Sequence, residues 1–164
     1  MALEQALITW IHLISSAIWV GGSLFIAVVI APVLKTMSTS IEERLQIMIK
    51  VGRRFNKIAI PSLVILIATG IYNANQVLIR PDFLISTGYG VMLTIKMILV
   101  VALLVSFVVH VRIIRRDVEQ MIMEKQLTET QILKLRKKII IVGEITVILS
   151  VAVLFFAALL DAGV

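Results

Sequence analysis

The 164-residue chain contains no cysteine, and only 16% of its residues are charged. Without cysteine it has no disulfide bonds, no thiolate metal ligands and no thiol redox chemistry. It also has no glycine-rich phosphate loop, no internal repeat and no low-complexity tract. What remains is strongly apolar, with 60% hydrophobic residues and a mean hydropathy of +1.05. This composition excludes an ordinary soluble domain and indicates a membrane protein.

Four stretches are long and apolar enough to cross a bilayer, which takes roughly 20 residues in a helix. Within them only Lys96 and Glu144 are charged. The first stretch is too long for a signal peptide and has no basic segment before it, so we expect it to stay as a membrane anchor. We therefore predict an all-α integral membrane four-helix bundle that forms one domain over residues 1–164. The predicted spans are residues 6–34, 58–79, 88–111 and 139–160.

The basic residues predict the orientation of the bundle. Segments 35–57 and 112–138 carry 14 of the 16 lysine and arginine residues. Since basic loops stay in the cytoplasm, both segments should be cytoplasmic and both termini outside. The chain is then a multi-pass protein of the plasma membrane. The excess of lysine and arginine is explained by membrane topology. We therefore expect the chain to have the lipid bilayer, and no nucleic acid, as its partner.

Two capping boxes predict helical extensions on the cytoplasmic side. Ser40 with Glu43, and Thr128 with Gln131, each have the three-residue spacing of a reciprocal helix cap. The first box predicts an amphipathic helix that runs into the second span. The second box predicts that the last helix begins near Glu129, and we expect the third-span helix to continue towards Lys125.

Polar residues in the spans predict one site in the outer half of the bundle. His12, Ser15 and Gly22 share a stripe of the first span on a 3.6-residue period, as does Trp19. Lys96 lies at nearly the same depth in the third span, and the second span returns to that depth near residues 69–73. A lysine in hydrocarbon is costly, so Lys96 should face the bundle. The expected binding residues are His12, Lys96, Ser15, Gly22, Thr69 and Tyr72, and the expected metal ligands are His12 and Met92.

A second polar pair, His110 and Glu144, should lie near the cytoplasmic end. We expect a structural contact between them. Because the two histidines lie in opposite leaflets, they cannot both ligate one haem within a single chain.

Three short motifs occur in order along the first three spans. They are His12 with 19–22, Arg54-Phe55 with 68–70, and Tyr89-Gly90 with Lys96. With these motifs the sequence resembles the copper-resistance protein D (CopD) superfamily over its first three spans, and the fourth agrees only in hydropathy. That superfamily includes haem-dependent protoporphyrinogen oxidases of the HemJ type, and the resemblance implies that His12 and Lys96 match their first-span histidine and third-span lysine. After Gly22 the chain lacks the basic, aromatic helix end of those oxidases.

Two cofactors compete for the predicted site. Copper(I) prefers thiolate and thioether ligands, and here only Met92 is expected near His12. A b-type haem would take His12 on its iron and Lys96 against a propionate, which suits these residues better. The prediction is therefore a haem-binding redox protein, with membrane oxidoreductase activity left open. The alternatives are a copper transport or resistance protein, and a small non-catalytic subunit of a membrane complex. A homo-oligomer or a respiratory-type complex would be its protein partner.

Overall fold

The computed structural model describes residues 2–37, 40–78 and 81–163, with the side chains of residues 2, 75–78, 81, 83 and 116 left out. In this part of the chain every regular element is a helix. Arg80, the basic residue expected in the loop between the second and third spans, lies outside the described residues. The helices are α1 (Leu3–Thr36), α2 (Ile41–Leu78), α3 (Pro81–Ser86), α4 (Gly88–Ile113), α5 (Arg116–Met123) and α6 (Glu129–Asp161).

Helices α1, α2, α4 and α6 are long and apolar enough to cross a membrane, by length and composition. They run past the predicted spans, and α2 and α6 each extend by several turns into the basic segments 35–57 and 112–138. This confirms an all-α membrane protein with four spanning helices. Many large apolar side chains point outward from the bundle, among them Val28, Ile148 and Phe155. Such a surface suits lipid rather than water.

Both predicted capping boxes are present. The backbone N–H of Ser40 donates to Glu43 at 3.2 Å, and that of Glu43 donates to the Ser40 hydroxyl at the same distance. Thr128 and Gln131 form the equivalent pair at the start of α6. Each pair satisfies amide groups that have no partner inside the helix, which is why α2 and α6 begin where predicted.

The expected continuation of the third-span helix towards Lys125 is interrupted. Helix α4 ends at Ile113, Arg115 is extended, and a separate helix, α5, ends at Met123. Val118 and Ile122 of α5 pack in a cluster with apolar residues of α2 and α6. An ion pair of 2.5 Å between Arg53 and the buried Glu119 also ties α2 to α5.

Two buried apolar clusters hold the bundle together. The central cluster lies at mid-bundle and consists of Trp19, Val20, Ala59, Leu63, Leu103 and Phe107. The connector cluster joins the two helical extensions to α4 and α5, and consists of Leu45, Ile49, Ile114, Ile122, Ile132 and Ile139.

Helix α1 carries two π-helical turns, at Ala17–Gly21 and Ile26–Ile30. The first carries Trp19 into the central cluster, where its indole N–H donates to the Ser150 hydroxyl at 3.0 Å. Its ring meets that of Phe107 edge-on, with centroids 4.8 Å apart. Such turns interrupt regular helices most often at functional sites. Polar side chains lie at cavities on both sides of Trp19.

Candidate functional site

His12 on α1 is held by a side chain of α2. Its Nδ1 lies 2.6 Å from the hydroxyl oxygen of Thr69, and that hydroxyl donates its own proton to the carbonyl of Ile65 at 2.7 Å. Because its only proton is used in that bond, the Thr69 oxygen accepts a hydrogen bond from the Nδ1–H of His12. This fixes the tautomer of the neutral ring, in which Nε2 keeps a lone pair. Metal-binding histidines are oriented by this kind of second hydrogen bond.

His12 borders a cavity of about 390 Å³, called here the His12 cavity, that lies between all four spanning helices. This volume is within the usual range of small-molecule sites. Gly70 of α2 also lines the cavity next to the His12 ring, and a Cβ at this position would lie 3.7 Å from that ring, an ordinary contact. The cavity lining is mostly aliphatic. Its polar or sulfur-bearing members are His12, Ser16, Trp19, Lys96, Met97 and Ser150.

Lys96 is the one formally charged side chain among the described residues that line the His12 cavity. Within the described part of the chain it forms no ion pair. Glu4, the acidic residue near this end of α1, instead accepts a hydrogen bond of 3.4 Å from the hydroxyl of Tyr72. The cavity therefore combines a neutral imidazole with a lysine and no carboxylate.

Several residues expected at this site lie elsewhere. Ser15 is buried but borders a groove on the other side of α1, next to Trp10 and Ser62. Gly22 is covered by the ring of Phe55, whose Cζ would lie 2.7 Å from a Cβ at that position. Tyr72 is 48% exposed. Thr69 contacts His12 without lining the cavity.

The methionine of the cavity is Met97 and not the expected Met92. Leu93 faces the cavity, and Met92 is turned about 100° from it around the helix, whereas Met97 is only about 40° away. Residues 93, 97, 100 and 104 lie on the same face of α4 as Lys96. This helical spacing could have predicted Met97 from the sequence. Ser16 and Ser150 were not predicted either.

A second cavity of about 140 Å³, called here the His110 cavity, lies on the connector side of Trp19. His110, Glu144 and Asn56 border it, from three different helices. The predicted contact between His110 and Glu144 is not formed. The Nδ1 of His110 is buried without a hydrogen-bond partner, and no ion pair joins the two side chains in the described structure.

A comparison with protein-family models matches residues 49–160 to copper resistance protein D. The match covers about two thirds of the chain. The chain belongs to the CopD family. Comparisons with curated proteins and with solved structures gave no match.

The CopD match differs in extent from the resemblance expected from the sequence. It includes α6, which was expected to agree only in hydropathy, and it begins after α1. Lys96, Met97, Asn56, His110 and Glu144 lie within it, whereas His12 lies outside. The family description refers to copper resistance and does not mention haem.

Proposed function

We propose that this CopD-family protein handles copper(I) in the membrane, and that the His12 cavity is its copper-binding site. The observation that most directly supports this proposal is the hydrogen bond between Thr69 and His12. It leaves Nε2 of a neutral imidazole free to bind a metal. The family match, which points to copper, supports the same conclusion.

The donor set fits a weakly held copper(I) ion. Imidazole nitrogen and thioether sulfur are both good ligands for copper(I), and His12 with Met97 supplies one of each. Among the described residues there is no group of three or more histidine, cysteine or acidic side chains that could hold a metal ion, so a site here has fewer such ligands. The positive charge of Lys96 would also oppose a bound cation. These features suit a site that releases its cargo better than one that stores it.

Binding of copper(I) to the purified full-length chain tests the proposal. An anaerobic titration against a chromophoric copper(I) chelator should show one bound ion, and His12→Ala should remove it. Met97→Leu keeps the volume of the side chain but removes the sulfur, so the affinity should fall by about tenfold or more. The matched control is Met92→Leu, which removes a thioether outside the cavity and should leave binding unchanged. Equal affinity in wild type and His12→Ala would overturn the proposal.

Lys96 favours a second candidate, a b-type haem. With no carboxylate among the described lining residues, the lysine suits an anionic ligand, and a haem propionate is one. His12 would hold the iron through Nε2, and the haem would supply one-electron chemistry. The absorption spectrum separates the two candidates. A Soret band that His12→Ala abolishes, together with no copper(I) binding, would favour haem.

A further inference from the structure

The His110 cavity collects three polar side chains that have no partner in the protein. Asn56 comes from α2, His110 from α4 and Glu144 from α6. Among the described residues, none of these three side chains forms a hydrogen bond or an ion pair, and the Nδ1 of His110 is fully buried. This contrasts with His12, whose Nδ1 donates to Thr69.

Gly143 of α6 lies beside the ring of His110. A Cβ at Gly143 would lie 3.4 Å from Cε1 of His110 and 3.8 Å from its Nδ1. The nitrogen therefore faces the backbone of α6 next to Glu144. The second π-helical turn of α1, Ile26–Ile30, forms the opposite side of the same cavity.

Leaving the buried Nδ1 of His110 unpaired is unfavourable, because an unsatisfied buried polar group costs about 1–3 kcal/mol. Most of the remaining lining is aliphatic or aromatic, and no lysine or arginine is among the described residues that line the cavity. A volume of about 140 Å³ is enough for an ion with several water molecules, since one water takes at least about 10–15 Å³ by this measure.

We infer that the His110 cavity binds a divalent transition-metal cation, with His110 Nδ1 and the Glu144 carboxylate as ligands and the Asn56 amide oxygen completing the set. Glu144 is the one formal charge among the described lining residues, so a cation is the ligand that balances it. Imidazole nitrogen beside carboxylate and amide oxygens suits zinc(II) or copper(II) better than the soft copper(I) ion. Magnesium is excluded by the imidazole ligand, since it prefers an all-oxygen shell. This site is separate from the His12 cavity and does not depend on copper(I) binding there.

The test is zinc(II) and cobalt(II) binding by the purified full-length chain. Calorimetry with zinc(II) should show binding that Glu144→Gln and His110→Ala each weaken at least tenfold. Cobalt(II) should give visible d–d bands that shift when its nitrogen ligand is lost in His110→Ala. The matched control is Glu4→Gln, which removes a carboxylate at the other end of the bundle and should change neither result.

Glu144→Gln keeps the test decisive if His110→Ala does not fold, because the Glu144 side chain lies at the exposed edge of the cavity. A wild-type chain that binds neither metal would overturn the inference and would mean that water alone fills the cavity. Binding that is as tight in Glu144→Gln as in wild type would overturn it as well. Neither result would bear on copper(I) binding at His12, which the chelator titration measures separately.

Discussion

The two histidines of the chain border cavities on opposite sides of Trp19, and their surroundings carry opposite charge. His12 has its Nδ1 bonded to Thr69 and shares its cavity with Lys96. His110 has an unpartnered Nδ1 and shares its cavity with Glu144. The His12 cavity is also the larger, at about 390 Å³ against about 140 Å³.

We therefore expect the neighbouring charge, more than the histidine itself, to select the ligand. The lysine opposes a cation and so weakens its binding, whereas the carboxylate attracts a divalent cation. The hydrogen bond to Thr69 also fixes the tautomer of His12 in advance, while His110 has no such constraint.

The comparison depends first on which side of the membrane each cavity faces. We expect the His12 cavity in the outer half and the His110 cavity in the cytoplasmic half, because the connectors beside His110 hold most of the basic residues. The chain has no cysteine, so single cysteines at Ser40 and Thr128 can report the side without interference.

In intact cells a membrane-impermeant thiol reagent should leave both cysteines unlabelled, and it should label both after the cells are opened. A cysteine at Gly163, near the other end of α6, is the control and should react in intact cells. Labelling of Ser40 and Thr128 from outside would reverse the assignment of both cavities.

The largest effect on stability should come from the residue between the cavities. Trp19→Ala should destabilise the bundle by about 3–5 kcal/mol, because it joins the two cavities and removes the largest side chain of the central cluster. The free energy of unfolding in detergent measures this cost. Trp19→Phe keeps a ring but loses the hydrogen bond to Ser150, so its cost should be nearer 1 kcal/mol. If Trp19→Ala and Trp19→Phe lower the free energy of unfolding equally, packing of the ring at position 19 is not what keeps the two cavities apart.

The next largest effect should come from losing the hydrogen bond that fixes the tautomer of His12. Thr69→Val removes the oxygen that accepts from Nδ1 and keeps the shape of the side chain. Metal affinity at His12 should fall by about 10–100-fold, as it does when the second hydrogen bond of a metal-binding histidine is lost. Thr69→Ser retains the oxygen and should keep most of the affinity. An unchanged copper(I) affinity in Thr69→Val would remove the main difference drawn here between the two histidines.

The smallest effect concerns the hydrogen bonds beside Trp19. Thr146 donates to the carbonyl of Val142, so its oxygen accepts from Ser106 at 2.8 Å. Ser106→Ala should cost about 0.6 kcal/mol, the average of such contacts between membrane helices. A double-mutant cycle with Thr146→Val measures the coupling. A coupling above about 2 kcal/mol would show that this contact stabilises the bundle far more than an average polar contact between membrane helices.

The sequence was sufficient for the architecture. Long charge-free runs must be helical in a bilayer, because backbone groups there find no water to bond, and this determined four spans. The capping boxes at Ser40 and Thr128 are local patterns, so the starts of α2 and α6 followed from them directly. Helical spacing also singled out His12 and Lys96, which the structure places at one cavity.

Tertiary structure decided which side chains meet, because that depends on the rotation of each helix about its axis. Met97 lines the His12 cavity although Met92 was expected there, and these two residues lie about 140° apart around α4. The side chain of Phe55 covers Gly22. The apolar side chains of α5 are buried in the connector cluster, which includes Leu45 and Ile49 of α2, about 70 residues earlier in the chain. Depth along a helix can be counted from residue numbers. The direction in which a side chain faces is set by packing between helices, and so the partner of His12 and the lack of one for His110 appear only in the folded bundle.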